Sequence, residues 1–121
     1  MKAATIAELK RTLVTLDQGE LLEAVLRLAR FKKDNKELLT YLLYLSKDES
    51  SYVRLLCNGI DDQFSLTPNA HKKTLRKLIR WMDKCLRYSG NKDTETQFRI
   101  HICRSLLASD TPFHKLSLIH I

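Results

Sequence analysis

The residues from His71 to Tyr88, HKKTLRKLIRWMDKCLRY, sort by side-chain chemistry when they are set about 100° apart around an axis. Cys85, Leu78, His71, Met82, Leu75, Leu86 and Ile79 share one arc, broken only by His71. Arg76, Arg87, Arg80, Lys73, Lys84 and Lys77 share the opposite arc, which is roughly 100° wide. Lys72 and Asp83 sit on one border between the two arcs, and Trp81 and Tyr88 on the other. Such segregation predicts a helix with one packed face and one wet face. Like charges at i,i+4 repel by a few tenths of a kcal/mol per pair, and packing of the apolar face absorbs that cost.

Two readings of the basic arc stand side by side. A run of charge is commonly a solvated face on a packed helix. The sharper reading makes Lys73, Arg76, Lys77, Arg80, Trp81, Lys84 and Arg87 a face for anions or for a partner, the anions being phosphates or acidic side chains. Trp81 at its edge is placed to stack on a base, or to act as a half-buried anchor at the core boundary.

The same period recurs along the chain, and three Gly and two Pro in 121 residues leave little material for turns. A capping box, Thr5-x-x-Glu8, opens a helix over about Ile6–Leu16 with a narrow stripe of Ile6, Leu9, Leu13 and Leu16. Asp17-x-x-Glu20 opens a second over Gly19–Lys32, whose basic exit complements the helix dipole. Asp34-x-x-Glu37 opens a third over Asn35–Lys47, apolar nearly all round and so expected to be the core hub. A fourth covers Glu49–Phe64, where Gly59 either permits close packing or ends the helix before Asp61-Asp62. Ser65–Asn69, with Pro68, reads as a linker, and Asn69 as the cap of the basic helix. Ser89-Gly90-Asn91 stops that helix, Gly90 suiting the left-handed position past its end. A sixth helix runs over Glu95–Ala108 after Thr94-x-x-Gln97 and ends at Asp110-Thr111-Pro112. The expectation is an all-α fold of about six amphipathic helices, in an orthogonal bundle or a short helical-hairpin array. A single domain is expected over residues 1–110, with 111–121 as a tail.

A hydrophobic content of 44 % with 29 % charged residues is that of an ordinary globular chain. Residues 1–69 carry ten Lys/Arg and ten Asp/Glu, whereas residues 70–121 carry eleven Lys/Arg and four Asp/Glu. The whole net charge of +7 therefore lies in the second part, mostly on the basic helix. No apolar run approaches membrane-spanning length. Glu8, Lys10 and Arg11 interrupt the start too early for a signal peptide. Cys57, Cys85 and Cys103 are odd in number and lack CxxC spacing, which reads as reduced, buried thiols in a cytoplasmic protein.

No catalytic, cofactor or metal constellation emerges. His101-x-Cys103 is an i,i+2 pair that points to different helix faces, and no ligand-spaced motif completes it with His71 or Cys85. Lys84 and Arg87 beside Cys85 favour its thiolate, but no exposed loop presents that thiol. Asp48-Glu49 and Asp61-Asp62 are adjacent pairs that diverge on a helix, and they read as a helix start and a helix end. GxSxG, HExxH and P-loop patterns are absent, as are zinc-finger spacing and the RNP aromatic signature.

Phe31-Lys32-Lys33-Asp34-Asn35-Lys36-Glu37-Leu38-Leu39-Thr40-Tyr41-Leu42-Leu43 and Arg87-Tyr88-Ser89-Gly90 resemble segments of a small, uncharacterised all-helical bacterial family. The resemblance covers most of residues 1–110. It implies the helical fold and brings no activity with it. The last six residues, Leu116-Ser117-Leu118-Ile119-His120-Ile121, match the translation of a transposase adapter end, CTGTCTCTTATACACATC. They read as adapter read-through on a metagenomic fragment, with native sequence stopping near Lys115; the other reading is a native amphipathic tail.

The function expected from these residues is that of a non-catalytic cytoplasmic helical module that binds a protein partner, acidic where it meets the basic helix. The alternative is sequence-independent nucleic-acid binding through residues 72–88. A further alternative is an enzyme fragment whose active residues lie beyond Lys115. No membrane partner is expected.

Overall fold

A computed structural model describes residues 1–66 and 72–108. Pro68, Asn69, His71, the Asp110-Thr111-Pro112 stop and the 116–121 tail lie outside the described residues. Those described form six α-helices and one π-helical turn, with no strand among them. The fold is all-α, as the period of the sequence requires. The chain divides into two compact units, Met1–Thr40 and Tyr41–Ile121.

The first unit holds α1 (Ile6–Leu13), α2 (Gln18–Phe31) and α3 (Lys33–Thr40). The α1 capping box is present: the amide of Glu8 donates to Thr5 Oγ1 at 3.2 Å, and the Thr5 amide donates back to Glu8 Oε1 at 3.4 Å. The helix stops at Leu13, three residues before Leu16, the end that the apolar stripe predicts. Beyond Leu13 the amides of Thr15 and Leu16 reach back only three residues, to the carbonyls of Thr12 and Leu13. The Thr15 hydroxyl also takes the Thr12 carbonyl, at 2.6 Å. A β-branched hydroxyl residue that occupies backbone carbonyls this way competes with the α-helical ladder.

The α2 box is formed by Asp17 and Glu20. This helix ends at Phe31 because Lys32 turns extended, and α3 begins one residue later. The amides of Asn35 and Lys36 both donate to the Lys32 carbonyl, while Asn35 Nδ2 donates to the Leu28 carbonyl at 2.7 Å and so caps the end of α2. The expected cap at Asp34 is therefore corrected: Asp34 lies inside the first turn of α3, and α2 and α3 share Lys32 as their joint.

The second unit opens with the π-helical turn Tyr41–Leu45, closed by the Ser46 amide on the Tyr41 carbonyl at 2.8 Å. The third helix of the sequence reading thus splits, and its role as the core hub is overturned. Of its apolar residues only Tyr41 is buried, while Leu42, Leu43 and Tyr44 are exposed. A π turn adds a residue to each turn, so the angular positions derived from 100° spacing no longer apply past Thr40.

The core lies instead among α4 (Glu49–Leu66), α5 (Lys72–Ser89) and α6 (Lys92–Ala108). Asp48 caps α4, accepting from the Ser51 amide at 3.1 Å and from the Ser51 hydroxyl at 2.7 Å. One side of α4 buries Tyr52, Leu56 and Ile60, and one side of α6 buries Thr94, Phe98, Ile102 and Leu106. Both stripes run at i,i+4, the spacing that stacks side chains along one helix face. Leu75, Met82, Cys85 and Leu86 enter the same core from α5. Fully buried Leu56, Ile60 and Phe98 each contribute about 1.5–3 kcal/mol relative to an exposed position. Asp61 and Asp62 do not end a helix: α4 continues through them to Leu66.

Candidate interaction surface

The apolar arc read from α5 is the arc that packs. Leu75, Met82, Cys85 and Leu86 are buried, and Leu78 and Ile79 are partly so. On the other side Lys73, Arg76, Lys77, Arg80 and Arg87 are exposed. Lys84 is half-buried and engaged by a neighbour, so five rather than six of the predicted cations face outward. Asp83, the acid of α5, meets Arg99 Nη2 of α6 at 3.5 Å, and Arg99 also holds Glu95 at 3.2 Å.

Trp81 sits where the two arcs meet, half-buried, with its ring edge-on to Phe98 at a centroid separation of 6.1 Å. Gly59 of α4 comes up against it. A Cβ at position 59 would stand 3.1 Å from Trp81 Cη2, so the missing side chain is what lets the two helices approach here. Gly59 therefore permits close packing and does not break α4. Beside this contact lies a cleft of about 430 Å³ lined by Gly59, Gln63, Thr74, Lys77, Leu78 and Trp81. The Lys77–Trp81 pair, i and i+4 on the border of the helical wheel, was visible in the sequence. The α4 wall opposite was not, because no local pattern says which helix Gly59 faces.

A second cluster was missed altogether. The Glu49 carboxylate accepts from Tyr41 Oη, from Thr94 Oγ1 and, at 3.0 Å, from Ser89 Oγ. It ties the π turn, the start of α4, the end of α5 and the start of α6 together. Burial pushes the Glu49 carboxyl up, but the hydroxyls of Thr94, Tyr41 and Ser89 together outweigh it and hold the carboxyl below its ordinary range. Burial, with the same carboxylate beside it, pushes the Tyr41 hydroxyl up. Three hydroxyls from three elements on one carboxylate make the cluster a polar tie. Thr94, read as a cap, belongs to this tie, and the cap of α6 is Asn91, whose Oδ1 accepts from the Thr94 amide at 3.1 Å.

The remaining chemistry-bearing residues are dispersed. His101 Nε2 pairs with Asp61 Oδ1 of α4 at 2.7 Å rather than with Cys103. Among the described residues no three His, Cys, Asp or Glu side chains are grouped as a metal site requires. Cys85 is buried, whereas Cys57 and Cys103 are only partly so, which corrects the expectation of three buried thiols. Burial, then the Asp61 carboxylate, pushes the Cys57 thiol up and away from the reactive thiolate. No described helix is long and apolar enough to cross a membrane. Compared with known proteins, the chain matches no family model, no curated protein and no solved structure.

Proposed function

We propose that the chain is a non-catalytic, cytoplasmic interaction module whose contact surface is the basic face of α5 and whose partner is a protein with an acidic surface. The observation that carries this reading is the presentation of Lys73, Arg76, Lys77, Arg80 and Arg87 to solvent by a helix whose other side is anchored in the core. Such a patch raises the local concentration of an acidic partner and speeds its docking. Cys85 is packed in the core, and Glu49, Asp61 and Asp83 are engaged in polar ties, which supports binding over catalysis. A second reading, sequence-independent nucleic-acid binding, is favoured by one observation: Lys77 and Trp81 line the same cleft, a cation beside an aromatic ring.

Fluorescence anisotropy of labelled poly-glutamate and of a labelled single-stranded RNA, each against the full chain over a salt series, tests both. The acidic-partner reading expects poly-glutamate to bind at low salt and to be released by the triple variant Arg76→Glu/Arg80→Glu/Arg87→Glu with helicity intact. Tighter binding of RNA, weakening linearly in log salt, favours the nucleic-acid reading. Binding of poly-glutamate that survives the triple variant sinks the assignment of the face.

A further inference from the structure

We infer that the cleft between α4 and α5 receives an apolar side chain of an acidic peptide segment, while the cations of α5 hold the acidic residues on either side of it. This deepens the proposed function and rests on the basic face being the contact surface.

A volume of about 430 Å³ takes one large side chain with room at the mouth. Its walls are the Trp81 indole and Leu78, with Gly59 contributing no side chain to fill it. The indole is braced edge-on at 86° by Phe98, itself fully buried, so it does not swing in to close the space. A preformed pocket walled by an aromatic residue is the form that a binding hot spot takes. Lys77 lines the cleft, and Lys73, one helical turn before it, is exposed. A side chain entering the cleft therefore brings its flanking residues up against positive charge, which selects acidic neighbours and penalises basic ones. Trp81 is half-buried, with Gly59 against its six-membered ring and Phe98 edge-on to it. That makes it one wall of a half-open cleft, with one face of its ring taken up by the protein, and not a free platform for successive bases, so a peptide is favoured over a nucleic acid.

The test uses Trp81, the only tryptophan in the chain, as its own reporter. The full chain is titrated with a capped Asp/Glu-rich peptide of about 16 residues bearing one central leucine, with its twin carrying serine there, and with oligo-dT. The leucine peptide is expected to shift Trp81 emission and to bind about tenfold more tightly than its twin, the worth of one buried leucine. Gly59→Leu, which fills the cleft, is expected to erase the difference between the peptides while leaving the affinity of the serine peptide unchanged. Should Gly59→Leu lose helicity by circular dichroism, Thr74→Phe fills the same space from the α5 side. Equal affinities with Trp81 unmoved overturn the anchor and leave the basic face standing as a contact surface. No binding of either peptide at low salt overturns both. Oligo-dT that binds more tightly than the leucine peptide overturns the peptide occupant.

Discussion

The hydroxyl of Tyr52 donates to the backbone carbonyl of Cys85 at 2.7 Å, a buried bond that joins α4 to α5 across 33 residues of sequence. The ring of Tyr52 also meets Tyr41 edge-on at 4.8 Å, so one side chain links the π turn, α4 and α5. Burial pushes the Tyr52 hydroxyl far up, which favours its protonated, donating form. Tyr52→Phe retains the ring and removes the donor. Urea denaturation is expected to show a loss of about 1–3 kcal/mol, the range for taking the partner from a buried polar group. An unchanged midpoint would mean that the bond contributes nothing net.

Glu49 makes stability depend on acid. Its folded-state pKa lies below the unfolded value, so its contribution is complete above the ordinary glutamate range and disappears as pH falls through the folded value. Tyr41 works in the opposite direction. Its folded pKa is raised, so its contribution is complete below the ordinary tyrosine range and is lost as pH rises through the folded value. Thermal midpoints are therefore expected to drop on acidification, and Glu49→Gln is expected to flatten that acid limb while lowering the plateau near neutrality. An acid limb of the same steepness in Glu49→Gln would assign the effect to other carboxylates, Asp48 first among them, since the Ser51 hydroxyl and then the Ser51 amide hold it low.

Gly59 is a glycine inside an 18-residue helix, a position where alanine is ordinarily better by about 1 kcal/mol. Here the added methyl would meet Trp81 Cη2 at 3.1 Å, and the indole also packs edge-on with Phe98. The gain in Gly59→Ala is expected to fall short of that helix-propensity value, and Trp81 emission is expected to move as the ring yields. A full gain with an unchanged spectrum would show that Trp81 does not stand against Gly59.

What could be read from the chain was whatever repeats every turn. The two faces of α5 and the caps at Thr5, Asp17 and Gly90 are local patterns. The structure has each of them, down to the positive φ of 64° at Gly90. What could not be read was set by partners distant in sequence. Thr94 reads as a cap because it precedes a helical run, yet its hydroxyl answers to Glu49, 45 residues away. The run around Tyr41 reads as the core because it is apolar nearly all round. The π turn, with the Thr40 and Ser46 hydroxyls bonded to the carbonyls of Lys36 and Leu42 at its two ends, changes which residues share a face. The cleft was half legible: Lys77 and Trp81 lie one turn apart, whereas Gly59 and Gln63 reach it from another helix.

Arg80 separates the needs of the fold from those of the surface. It is exposed on α5, with Arg76 four residues before it and Lys84 four residues after it. Both are like charges at the spacing where helix side chains meet, and each pair costs about 0.2–0.5 kcal/mol. Arg80→Glu turns two repulsions into two attractions, so urea denaturation at low salt is expected to show a variant at least as stable as the parent. The advantage should fade as salt screens it. Binding of the acidic leucine peptide is expected to move in the opposite direction, weakening in Arg80→Glu at low salt. A variant that is more stable yet binds less would show that the repulsion in α5 serves recognition rather than folding. A loss of stability instead would place Arg80 against the protein, and the basic face would have to be redrawn without it.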